Sequence, residues 1–122
     1  MTRWLIWSSV VVVWTVGLEV PVLEPGDVPG GEFIVTNKFV FAKSLHVAMY
    51  GLLAAFSASL PMPGRYRCLM MFFLLGHAWG TEMLQQALEP WCKRGGSLVD
   101  VGFDFLGVAL GVALTWKWWM KP

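Results

Sequence analysis

Lys43, His46 and Tyr50 follow one another at spacings of three and four, so on a helix they make one stripe. Glu82 and Gln85 are three apart, with Gln86 and Glu89 near the same side, and Asp100 and Asp104 are four apart. An imidazole among carboxylates can move protons, grip a polar head group, or act only as a charged clamp between helices. Lys43 and Arg94 oppose Glu82, Asp100 and Asp104, and His46 can supply the sixth charge, so a closed cluster comes near neutrality. His77 lies five residues before Glu82, about 140° away around a helix at about 100° per residue, and is expected to bond a neighbouring helix. It is at most a weak candidate for a cofactor ligand. No metal set, cofactor motif or activated Ser or Cys nucleophile is legible, and Met49, Met70, Met71 and Met83 read as packing. Cys68 and Cys92 have no CxxC neighbour; 24 helical residues would separate them by about 36 Å, far beyond the about 7 Å a disulfide allows.

The elements that must carry these residues are apolar. Of 122 residues, 57% are hydrophobic; adding 13 Gly and omitting 2 Tyr raises the share to about two thirds, against roughly 45–50% in soluble chains. So short a chain has too much surface to hide that excess from water. Charged residues make up 14% and the net charge is +1, which sets aside nucleic acid as a partner. Four stretches, Trp4 to Leu23, Phe39 to Leu60, Cys68 to Leu88 and Leu98 to Trp119, each approach the about 20 residues that cross about 30 Å of hydrocarbon. The expected fold is therefore an all-α integral membrane protein, residues 1–122 forming one antiparallel bundle of four transmembrane helices with membrane lipids as partners.

The first stretch follows Arg3 like a signal peptide, but no small-x-small cleavage site follows, so it reads as a retained anchor whose helix ends early at Pro21. Glu19 to Lys38, rich in Pro, Gly and acids, reads as an irregular connection, with residues 24–38 as the extracytoplasmic loop. The connections Pro61 to Arg67 and Glu89 to Ser97 are short enough to force hairpins. Arg3, Arg65, Arg67, Lys117 and Lys121 against Lys38, Lys93 and Arg94 place both termini in the cytoplasm. Trp116, Trp118 and Trp119 then mark the cytoplasmic interface. With these spans His46, Glu82 and Asp104 all lie about 9–10 Å below the outer edge, at about 1.5 Å per residue. Gly107 and Gly111 form a GxxxG step for close helix approach, within the bundle or between subunits.

The ordered motifs KxxHxxxY (Lys43, His46, Tyr50), ExxQ (Glu82, Gln85) and RxxSxxDxxxDxxGxxxG (Arg94, Ser97, Asp100, Asp104, Gly107, Gly111) resemble the VanZ-like family of bacterial membrane proteins, over about Lys43 to Leu114. Two positions depart from the family pattern: Ala42 stands where an acid usually precedes the lysine, and Asp104 where an Asn is usual. The resemblance implies a small multi-pass protein of the bacterial inner (cytoplasmic) membrane, in a family whose best-known member is associated with resistance to the glycopeptide teicoplanin. It implies no reaction.

Three functions fit these features. The first is a cell-envelope protein whose outward polar pocket binds a lipid, glycan or peptidoglycan-related ligand. There Lys43 and Arg94 would hold an anionic group, Glu82 and Asp104 would accept hydrogen bonds, and His46 would bridge them. The second is an accessory subunit associated with other membrane proteins, suggested by eight Trp and the glycine stripe. The third is an outer-leaflet enzyme acting on a lipid-linked glycan or phosphate.

Overall fold

The computed structural model describes residues 1–20, 29, 37–92 and 95–122. These are all-helical, without a strand: α1 Thr2–Glu19, α2 Lys38–Ala58, α3 Gly64–Cys92, α4 Leu98–Leu114 and the single turn α5 Trp116–Trp119. The expected loop at residues 24–38 lies almost wholly outside the described residues, as do the pair 93–94 and hence Arg94.

Contacts between the helices fix their directions. Lys43 meets Asp100 and His46 meets Asp104, pairs 57 and 58 positions apart, so α2 and α4 run parallel. Tyr50 reaches His77 while Arg67 reaches Ala58, so α3 runs against α2. Trp7 bonds Ser57 while Trp14 lies against His46, so α1 also opposes α2. The four long helices thus alternate in direction around a shared interior.

That interior has two tiers. Toward the chain termini Trp7, Leu53, Ala54, Ala58, Leu74, Val108 and Val112 form an apolar core. The other tier holds His46, Thr81, Glu82, Gln85 and Asp104, all buried. Outward faces are apolar on every long helix: Val12 and Val13 on α1, Phe39, Val40 and Leu52 on α2, Leu69 and Phe72 on α3, Leu106, Leu110 and Leu114 on α4.

Glycine sets the spacing of α2 and α4. A Cβ on Gly107 would sit 2.5 Å from the Val47 carbonyl oxygen and 3.1 Å from Tyr50 Cβ, and one on Gly111 would overlap the Gly51 carbonyl. The closest of these contacts are backbone, which cannot yield as a flexible side chain would. The GxxxG step is therefore consumed inside the bundle, and Gly51 is its counterpart on α2.

The helix limits differ from the expected stretches: α1 ends at Glu19 rather than Leu23, α2 at Ala58 rather than Leu60, and α3 begins at Gly64 rather than Cys68. α3 continues past Leu88 through Pro90, because the ring's φ suits a helix and the carbonyl it orphans belongs to exposed Gln86, where water can serve it. The fourth span breaks at Thr115, whose hydroxyl donates to the Gly111 carbonyl at 2.6 Å, and a separate turn begins at Trp116. The ends of α2 show where two of the counted cations go: Arg3 Nη1 donates to the Ser59 carbonyl at 3.0 Å and Arg67 Nη1 to the Ala58 carbonyl at 3.1 Å, serving carbonyls the helix leaves over.

Candidate functional site

The parallel register of α2 and α4 lines up two ion-pairing steps one helical turn apart. Lys43 Nζ donates to Asp100 Oδ1, with the Phe39 ring 5.2 Å from the ammonium. Below it His46 Nδ1 bonds Asp104 Oδ1 at 2.7 Å, and here both side chains are buried, Asp104 completely. The Trp14 and His46 rings form a T-shaped pair, 6.0 Å between centroids.

α3 brings Glu82 to the same place. Its Oε2 accepts from the Ser97 backbone N–H at 2.8 Å. That bond depends on Gly96, where a Cβ would collide with the Glu82 carbonyl oxygen and stand 3.1 Å from Gln86 Cβ. Only a glycine lets the chain entering α4 lie this close to α3. Ser97 then caps α4, its Oγ accepting from Val99 N–H at 3.2 Å, with Asp100 in the first turn.

His46, Glu82 and Asp104 are the point of convergence: each offers a donor atom, and these atoms lie within 4.8 Å of one another. The carboxylates are only half used. Glu82 Oε1 and Asp104 Oδ2 are buried and have no hydrogen-bond partner among the described residues. Buried oxygens of this kind are costly unless something meets them. The charges do not balance locally either, because Lys43 is spent on Asp100 and no other Lys or Arg among the described residues pairs with Glu82 or Asp104. The centre can thus hold a cation or accept a hydrogen-bond donor, and its three residues, which lie far apart in sequence, come within reach of a single metal ion.

Other candidates serve elsewhere. Gln85 was expected beside Glu82 in the cluster, but its Nε2 donates to the Leu18 carbonyl at 3.0 Å, because α1 ends against that face of α3 and leaves carbonyls unserved. Tyr50, expected on the stripe with Lys43 and His46, sits a turn deeper and joins His77 instead, 2.9 Å from its Nδ1 and 3.2 Å from Thr81 Oγ1. Thr15 Oγ1 donates to the Val11 carbonyl at 2.8 Å, so it accepts from His77 Nε2–H at 2.8 Å, leaving Nδ1 to accept from Tyr50. His77 thereby links α1, α2 and α3 in a second polar layer. Thr15, Thr81 and Gly96 were not singled out in the sequence; the Gly-Gly pair before a capping Ser was the available signal for Gly96.

Among the described residues the side chains of the centre are buried, His46 5%, Glu82 1% and Asp104 0% exposed. A groove of about 580 Å³ is apolar and runs along α1 past Leu5, Val10, Val13 and Trp14 to Met49. None of His46, Glu82 and Asp104 lines it. No family model, curated protein or solved structure matches this chain.

Proposed function

We propose that this chain is a four-span integral membrane protein of the bacterial cell envelope, VanZ-like in type, with both termini on the cytoplasmic side and a ligand-binding polar centre in its outer half. One observation carries the reading: the outer faces of all four long helices are covered by apolar side chains, while ionisable and amide groups such as His46, Glu82, Gln85 and Asp104 are buried in one tier of the interior. Soluble monomers seldom expose apolar area on that scale, and intramembrane ionisable residues face a bundle's interior. By length and composition one helix, α2, is apolar enough to cross a membrane, with a mean hydropathy of 1.5. For α1, α3 and α4 the support is the exposed apolar face.

Two unspent carboxylate oxygens favour a binding centre over a finished clamp. Its burial limits what enters to a small group, such as a cation or one hydroxyl or ammonium of a lipid or peptidoglycan-related molecule, rather than a whole head group. Lys43, already paired, is not free to hold an anion. The glycine stripe, one of the features behind the accessory-subunit reading, is occupied by α2.

The test is to express the chain, Glu82→Gln and Asp104→Asn in a teicoplanin-susceptible Gram-positive host. Wild type is expected to resist alkaline-carbonate extraction and raise tolerance; both variants are expected to insert and stay monodisperse in detergent while losing tolerance. Variants that keep full tolerance would refute the binding centre, and a carbonate-soluble wild type would refute the membrane reading.

A further inference from the structure

We infer that His46, Glu82 and Asp104 form a divalent metal site, with zinc as the best-fitting ion. The inference deepens the reading of this centre as a ligand site and rests on it. Three observations converge. Donor atoms from three helices lie within 4.8 Å of one another. Donors on one tetrahedral ion at about 2.1 Å stand about 3.4 Å apart, so the set closes on an ion when its farthest pair draws in by at most about 1.4 Å. Glu82 Oε1 and Asp104 Oδ2, on side chains 1% and 0% exposed, have no partner among the described residues. Finally, the centre holds two carboxylates while the adjacent ammonium belongs to Asp100. A dication balances both carboxylates and leaves the imidazole neutral, which a low-dielectric interior favours.

The donor types select the ion. One imidazole with two carboxylates suits zinc better than the all-oxygen surroundings that magnesium and calcium prefer. Three protein ligands leave a tetrahedral ion one open position, where a water or one oxygen of a larger ligand can bind. The Ser97 N–H on Glu82 Oε2 is the orienting hydrogen bond such ligands usually carry. Gly96 makes that bond possible, so the metal site includes a residue that contributes no donor atom of its own.

The experiment uses the full chain, purified in detergent with a tag free of histidine and stripped with chelator. Zinc alone is titrated by calorimetry, and cobalt is added separately to read the visible absorption of a tetrahedral site. The expected result is one equivalent bound per chain, weakened at least about tenfold in Glu82→Gln and in Asp104→Asn, tenfold being the lower end of losses from residues that only support ligands. Glu82→Asp and Asp104→Glu keep the donor chemistry and should retain part of the affinity, so a loss shared by all four variants marks a structural role and overturns the site. Lys117→Gln, exposed beyond the other end of α4, should leave zinc affinity unchanged. Wild type that binds no zinc overturns the inference. Wild type without metal whose carboxamide variants still lose tolerance refutes the metal alone, whereas metal-free variants that keep tolerance support the site and refute its role in the proposed function.

Discussion

Gly96 contributes no functional group, yet it decides whether Glu82 is oriented. Gly96→Ala drives a methyl into the Glu82 carbonyl, which is backbone and cannot move aside, so the entry to α4 must shift. Overpacking of this kind costs about 1–3 kcal/mol. The expected outcome is a lower melting temperature in detergent together with weaker zinc binding, whereas Gly76→Ala, with open space around it, should change neither. Lys43 and Asp100 allow a second check at this scale. Their side chains are 16% and 15% exposed, so removing one partner strands a mostly desolvated charge. Lys43→Met and Asp100→Leu should each destabilise the bundle more than the two together, a sign readable from a double-mutant cycle of melting temperatures.

For the elements, the α2–α4 pair is the frame on which the site is hung. Its parallel register places Lys43 opposite Asp100 and His46 opposite Asp104, and the Gly51, Gly107 and Gly111 backbones let the helices close enough for those side chains to meet. Gly111→Leu is expected to push the helices apart and break both ion-pairing steps, seen as lost thermal stability and loss of zinc binding, although the residue lies two turns from Asp104. Capping acts at the same scale with a smaller effect. Ser97→Ala removes an acceptor from the first turn of α4 and should cost about 1 kcal/mol, without abolishing the backbone bond from residue 97 to Glu82.

Taken whole, the molecule sorts its residues by tier. The half near the termini is sealed by apolar packing, and the opposite half holds the His46, Glu82 and Asp104 centre and the His77 layer. If both termini are cytoplasmic, as we propose, a fluorescent protein fused after Pro122 will fluoresce and an alkaline phosphatase fused there will be inactive. The opposite pair of results would invert the bundle and place the centre in the inner half.

Much of this was legible in the residues. Helix identity, the stripe positions of Lys43 and His46, and the coming together of Asp100, Asp104 and Glu82 follow from a 3.6-residue period and from the cost of charge among apolar neighbours, both local properties. Rotation and partner choice were not. Gln85 shares a face with Glu82 but bonds α1, because the carbonyls of an ending helix took it first. Tyr50 shares a face with His46 but meets His77, because α1 and α3 close over that turn. The sequence by itself determined which groups must leave lipid or water together. The tertiary structure alone decided which atoms they meet, since a hydrogen bond or a metal depends on tenths of an ångström between helices, and that spacing is set by glycines far along the chain.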